Sequence, residues 1–237
     1  MKPIKIVHIY PVEMNIYGDN GNVLVLKKRL EWRGIPTDVI KCGIGDKLPS
    51  DTHLIIGGGG QDAGQSLVAD DLKTKARQIH KLSDNAAPML MICGMYQMFG
   101  HYFKTQDGTR IPGISVLDIH TEAQDGRIIG NVEANTKWGE IIGYENHSGR
   151  TFLGKDASNF GVTKMGQGNN GSDKTEGAMQ NNVFGSYLHG PMLAKSPVFA
   201  DYLLSLAIKC SGQKANLNQI DDSLELLAAA VAVKRPR

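Results

Sequence analysis

The chain begins with an apolar run at residues 4–10 (IKIVHIY), bounded by Pro11, the pattern of a buried strand. A polar turn follows over residues 15–22. Over residues 23–32, apolar positions 23, 24, 26 and 30 lie opposite Lys27, Lys28 and Arg29, which predicts a helix that Gly34 ends. Residues 37–42 and 53–56 read as strands, the second running into Gly57-Gly58-Gly59-Gly60. Residues 67–82 have helical periodicity. Residues 88–92 (PMLMI) predict a strand, and 95–103 a helix. Strand, helix, strand, strand, helix, strand, helix argues for an α/β fold with a parallel sheet and helices on both faces.

The second half changes character. Residues 115–120, 127–132, 140–146 and 182–187 read as strands separated by turn residues. The polar, glycine-rich stretch 165–177 reads as a surface loop. Residues 196–209 and 221–233 read as helices, each opened by an N-cap candidate. The second of these is Leu/Ala-rich and is expected to pack on its own domain. The tail Lys234-Arg235-Pro236-Arg237 reads as a solvated end. No repeat or linker divides the chain. The expectation is therefore one domain over 1–237, with a core of about 4–209 and a C-terminal helix of about 221–233.

Composition narrows the classes. The 237 residues carry 26 Lys+Arg and 24 Asp+Glu, a near-neutral balance that argues against nucleic acid or an acidic membrane as main partner. The 3 cysteines, at 42, 93 and 210, form no CxxC pair, so neither a disulfide framework nor a zinc knuckle is suggested. No apolar run is long enough to span a bilayer, and the start enters a strand without a signal core, so a cytoplasmic location is expected. Glycine stands out, with 28 residues where average usage is about 7%.

Two residues draw attention to strand ends. Cys93 lies between the strand 88–92 and the next helix, in Met91-Ile92-Cys93-Gly94-Met95-Tyr96-Gln97. A thiol there is held at the carboxyl edge of the sheet, where open α/β folds bind ligands. The N–H groups of the following helix favour a negatively charged sulfur, and Gly94 lets a substrate atom approach the backbone. That is a nucleophile turn built on cysteine; the alternative is a buried structural Cys. Cys42 and Cys210 lack this context. His189 follows the strand-like Phe184-Gly185-Ser186-Tyr187-Leu188 and precedes Gly190-Pro191, so it is a base candidate, or else a turn histidine. The run Gly57–Gly60 can aim N–H groups at a developing anion, or be a loop. No Gly-x-x-x-x-Gly-Lys-Ser/Thr occurs, which excludes a phosphate loop for ATP. The remaining histidines show no metal-ligand spacing, so no metal site is expected. Asp19 reads as a turn residue rather than a catalytic acid, Asp62 as a helix cap, and His147 as a hydrogen-bonded structural histidine that could also shape a pocket.

These features in this order resemble the class I glutamine amidotransferases, and more finely their cobyric-acid-synthase-like branch. Gly143-Tyr144-Glu145-Asn146-His147-Ser148-Gly149 is similar to that branch's Gly-Tyr-Glu-x-His-x-Gly element. Within the branch, the match is to the glutaminase subunits of lipid II isoglutaminyl synthases. It is carried by residues 15–22, Gly57–Asp62, Cys93–Gln97, Tyr144–Thr151 and Tyr187–Pro191. The resemblance implies a three-layer fold with a mostly parallel central sheet. It implies Cys93 as nucleophile, His189 as base, and N–H groups of Gly58, Gly59 and Gly94 around an oxyanion. Arg127 would pair with the carboxylate of L-glutamine, its alternative being a solvated arginine. Gln97 would contact glutamine, or be an exposed helix residue. Ammonia would pass to a Mur-ligase-like synthetase subunit, forming a heterodimer. That partner, which carries the ATP and Mg, would amidate the D-glutamate α-carboxylate of lipid II during peptidoglycan synthesis. This chain itself would need no cofactor.

One departure stands out. Many class I amidotransferases carry His-x-Glu, and here Pro191 stands two places after His189. The resemblance therefore implies a dyad in this chain, with an Asp supplied by the partner, and slow glutamine hydrolysis until the partner binds. Two other readings stay open: a cobyric-acid-synthase-like enzyme with another acceptor, and a catalytically silent interaction module of the same fold.

Overall fold

The computed structural model describes residues 2–214 and 216–235; Pro236 and Arg237 of the expected solvated tail lie outside them. Along the chain the elements are β1 (Ile4–Ile9), α1 (Asn20–Glu31), β2 (Thr37–Cys42), β3 (Leu54–Gly57), α2 (Asp62–Asp84), β4 (Met89–Ile92) and α3 (Gly94–Phe99). Then come β5 (Tyr102–Lys104), β6 (Arg110–Pro112), β7 (Ile119–Thr136), β8 (Gly139–Leu153), β9 (Gly161–Met165), β10 (Thr175–Glu176), β11 (Ala178–Gln180) and β12 (Val183–Ser186). A 3-10 turn (Met192–Lys195), α4 (Pro197–Cys210) and α5 (Ser223–Val233) complete the chain.

The central sheet has the order β11-β12-β4-β3-β1-β2, all parallel except β11. The strands β3 and β4 are buried along their whole length, which is why they read as apolar runs, and β12 is equally buried although it ends on Gly185 and Ser186. Helices and strands alternate in layers, with α1 against α4 and α2 against α3. From β1 the chain crosses to β2 on one side, then returns to β3 on the other. That reversal is a topological switch point, where the carboxyl ends of parallel strands leave a crevice. The register levels those ends: Ile9 pairs with Gly57, Gly57 with Met91, and Ile92 with Ser186. The loops after β1, β3, β4 and β12 therefore open on one edge.

A second sheet, β10-β9-β7-β5-β6 with β8 beside β7, is built mainly from antiparallel pairs. Its long β7–β8 hairpin extends well beyond the predicted strands 127–132 and 140–146. The predicted helix 95–103 stops at Phe99, because Gly100 turns extended and residues 102–104 join this sheet. The predicted strand 115–120 starts only at Ile119: Ser115 has φ +55°, and the N–H groups of Val116 and Leu117 return to the Phe99 carbonyl. The predicted loop 165–177 is not loop throughout: Met165 ends β9, and Thr175–Glu176 form β10, which pairs back on β9.

Helix α1 ends as expected, with Gly34 at φ +66° and its N–H on the Glu31 carbonyl. Its Arg29 is 1% exposed and binds Asp201 through Nε at 2.7 Å and Asp222 through Nη1 at 2.6 Å. Asp222 therefore serves α1 and, like Ser196, makes no side-chain cap bond to its helix, whereas Asp221, which opens the predicted helix, accepts the Ser223 N–H at 2.9 Å through Oδ1. Helix α2 starts at Asp62, with Gln61 in the cap position, so Asp62 lies inside the first turn and not at the cap. Helix α5 departs from its expected packing. It touches β8 and the 3-10 turn but buries none of its residues fully, and Leu224 is 76% exposed.

Candidate active site

Cys93 occupies the turn between β4 and α3 with φ +50° and ψ −105°. A non-glycine residue pays strain for that conformation, and such strain concentrates at functional turns. The turn is held from two sides: the Cys93 N–H donates to Ser186 O at 2.8 Å, and the Gln97 N–H to Cys93 O at 3.0 Å. His189 follows β12, on the same sheet edge. Its backbone pairs with Tyr144 of β8 through N–H to Tyr144 O at 2.9 Å and the reciprocal bond at 3.2 Å. The second sheet thus clamps the imidazole that the first sheet positions.

The third member is Asp19, fully buried at the start of α1. Its Oδ2 lies 3.0 Å from His189 Nδ1 and accepts the Gly59 N–H at 2.8 Å. This corrects two expectations: Asp19 is more than a turn residue, and His189 has a carboxylate from its own chain. The three side chains converge on Gly59. A Cβ built there would fall 2.5 Å from His189 Cε1, 3.2 Å from Cys93 Cβ and 3.3 Å from Asp19 Oδ2. Burial pushes the His189 pKa down, but the negative charge of Cys93 and the bond to Asp19 outweigh it and raise it from 6.5 to about 10. The charged imidazole is therefore the favoured form at neutral pH. Tyr17 covers it, ring centroids 4.5 Å apart.

A cavity of about 310 Å³ opens above Cys93. Arg127 and Gln97 line it with Gly60, Asn146, His147 and Ser148. Arg127 stands in a register break of β7 between Ala123 and Ile128, which turns its side chain out of the regular ladder. Asn146 fixes it, accepting from Nε at 2.9 Å through Oδ1 and from Nη2 at 3.0 Å through its carbonyl. Gln97 is buried, not exposed: its Oε1 accepts from Gln65 Nε2 at 2.7 Å, and its Nε2 donates to Tyr187 at 3.0 Å. Tyr187 in turn meets Thr151 at 2.6 Å. This network braces the floor of the cavity.

The predicted oxyanion groups are differently placed. The Gly59 N–H is engaged by Asp19. Gly58 is packed on the Met14 carbonyl, 2.2 Å from where its Cβ would stand. Gly60, by contrast, lines the cavity, and a Cβ on Gly94 would fall 3.0 Å from the Gly60 nitrogen. Cys42 and Cys210 lie elsewhere, and burial raises both thiol pKa values. Among the described residues, no three His, Cys, Asp or Glu are placed to hold a metal ion, and no helix is long and apolar enough to cross a membrane.

A thiol on a strained turn, an imidazole and a carboxylate form the arrangement expected of a nucleophilic acyl-transfer site. Residues 5–197 match the model of the CobB/CobQ-like glutamine amidotransferase domain. The chain belongs to this family. It is 34% identical to "Lipid II isoglutaminyl synthase (glutamine-hydrolyzing) subunit GatD" of Staphylococcus aureus (strain N315), over 99% of this chain and 97% of that protein. It is 38% identical to the protein of the same name from Streptococcus pneumoniae (strain ATCC BAA-255 / R6), over 93% of this chain and 87% of that one. Among solved structures, PurLQS from Thermotoga maritima matches with a TM-score of 0.59 at 19% identity, covering 88% of this chain and 99% of that one. Such class I amidotransferase neighbours agree with the layered, mostly parallel fold of this family member. Asp19 is the residue of this site that the sequence reading weighed as an acid and set aside as a turn residue, although it stood inside the motif 15–22. A polar turn that carries a family motif, together with a histidine lacking its usual carboxylate, was the available signal.

Proposed function

We propose that this amidotransferase is the glutamine-hydrolysing subunit of a lipid II isoglutaminyl synthase. The observation that carries the chemistry is the convergence of Cys93, His189 and Asp19 on Gly59, beneath a cavity bearing Arg127. The similarity to the two GatD subunits over nearly the whole chain supports the assignment to lipid II.

In this reading Arg127 pairs with the α-carboxylate of L-glutamine and orients the side-chain amide over Cys93. The Cys93 sulfur attacks the amide carbon, and the carbonyl π electrons move onto oxygen. The N–H groups of Gly60 and Gly94 stabilise that oxyanion. His189 gives its Nε2 proton to the amide nitrogen, the C–N bond breaks, and ammonia leaves a glutamyl thioester on Cys93. His189, now neutral, takes a proton from water as the water attacks the thioester. Glutamate departs, and the protonated imidazole faces the sulfur again. Asp19 holds Nδ1–H toward itself throughout, so that Nε2 is the atom that trades the proton. The ammonia passes to a Mur-ligase-like partner that uses ATP and Mg to activate the D-glutamate carboxylate.

The test is twofold. Intact-mass analysis after treatment with 6-diazo-5-oxo-norleucine is expected to show one adduct at Cys93, absent in Cys93→Ala. Co-expressed with its ligase subunit, the chain is expected to support glutamine- and ATP-dependent amidation of lipid II. An adduct without amidation of lipid II, but with amidation of another carboxylate, would move the assignment to that acceptor.

A further inference from the structure

One cavity residue is left without a task in the chemistry above. His147 of β8 is 2% exposed and lines the same cavity as Cys93 and Arg127. Its ring lies flat on Tyr187, centroids 3.6 Å apart with 6° between the planes. Its Nδ1 stands 2.7 Å from the Gly149 carbonyl, which can only accept, so Nδ1 carries the proton. That leaves Nε2 with a lone pair, and Nε2 is buried with no hydrogen-bond partner. Such an orphaned acceptor is costly unless a ligand completes it.

The geometry around the ring is built. Gly149 has no room for a side chain: a Cβ would fall 2.5 Å from Gln97 Nε2 and 2.6 Å from Thr121 Cγ2. The β8 backbone can therefore press against the Gln97–Tyr187 network and present its carbonyl to His147. Burial, with Arg150, His189 and Arg127 nearby, outweighs the bond to the Gly149 carbonyl and lowers the His147 pKa from 6.5 to about 3. The ring stays neutral wherever the protein works, so its acceptor is constant.

We propose that His147 Nε2 accepts a hydrogen bond from the α-ammonium group of bound glutamine, making the site selective for an amino acid over a plain amide. This rests on the glutaminase reading above. Asn146, the neighbour of His147, fixes the Arg127 guanidinium through both its side chain and its carbonyl. The α-carboxylate and α-ammonium of glutamine share one carbon, and Arg127 and His147 line one cavity, so a substrate whose carboxylate sits on Arg127 carries its ammonium within that shared lining. The reacting amide lies at the other end of the substrate, at Cys93. His147 is thus a specificity residue.

The experiment compares kcat/KM for L-glutamine and for 4-carbamoylbutanoate, which is glutamine without its amino group, on the chain bound to its ligase subunit. The native protein is expected to prefer glutamine by at least about tenfold. His147→Leu is expected to cut that preference by about ten- to a hundredfold through glutamine alone, and His147→Gln, which keeps an acceptor, to restore part of it. Equal losses on both amides would assign His147 to structure and overturn the proposal. So would a native protein indifferent to the amino group, a result that needs no variant. A native protein that turns over neither amide would remove the glutaminase reading itself, and this inference with it.

Discussion

Nδ1 of His189 lies 3.0 Å from Oδ2 of Asp19, although 170 positions separate the two residues in the chain. Both are almost wholly buried, so little solvent screens the contact. The carboxylate fixes the ring's tautomer and favours its charged form. Asp19→Asn keeps the shape and removes the charge. It is expected to lower kcat for glutamine by roughly 10³–10⁴-fold, with an unchanged circular dichroism spectrum. Steady-state ammonia release checks this. Retention of native kcat would show that the carboxylate acting on His189 comes from elsewhere.

Gly59 is the point on which the three side chains converge. In Gly59→Ala the new methyl group meets His189 Cε1 first, and the ring must swing away from Cys93. The expected outcome is a loss of more than about tenfold in kcat/KM, since misplacement of about 1 Å can cost a hundredfold. The rate of Cys93 alkylation by iodoacetamide is expected to fall in parallel, as the displaced imidazolium no longer supports the thiolate. An alanine variant with native rates would rule out this packing.

How much of this was legible beforehand differs between the two sheets. β1, β3, β4 and β12 declared themselves because strands buried on both faces are short and mostly apolar, with only Lys5, His8 and Ser186 interrupting them. β5, β6, β9, β10 and β11 have two to five residues each, too few to show a period. Cys93 and His189 were visible because each follows such a buried strand. Asp19 was not, because Gly-Asp-Asn-Gly is ordinary turn composition, and only the folded chain brings it to His189. For Gln97 a contact with glutamine and an exposed helix position both stayed open, since nothing local shows that α3 is enclosed on every side.

Arg29 should prove essential to stability. It is almost inaccessible, while the carboxylates of Asp201 and Asp222 remain about a quarter exposed. Arg29→Met leaves Asp222 facing an apolar side chain, while Asp201 keeps its ion pair with Arg33 at 2.6 Å. The expected cost is about 3 kcal/mol, toward the lower end for a broken buried ion pair because the carboxylates keep some water. Urea unfolding of the two proteins measures it, and a loss below about 1 kcal/mol would mean that solvent replaces the arginine.

Acid should weaken the fold through His8, on β1. Burial and nearby Lys41, against Asp19, lower its pKa from 6.5 to about 4. Because the folded value is depressed, its contribution is complete above pH 6.5 and is lost as pH falls toward 4, where the unfolded chain takes up a proton that the folded chain refuses. The melting temperature of the native protein is expected to drop across that window, and less steeply for His8→Gln. Parallel curves would exclude His8 as a source of the acid sensitivity.

The Arg29 clamp also joins the chain's two ends mechanically. Asp19 stands at the start of α1, Arg29 sits further along the same helix, and one of its two anchors, Asp222, introduces α5. A protein shortened to end before Asp222 would keep every residue that touches the cavity. It would nonetheless lose a stay on the strut that aims the carboxylate, so trimming at the far terminus should be felt at the imidazole.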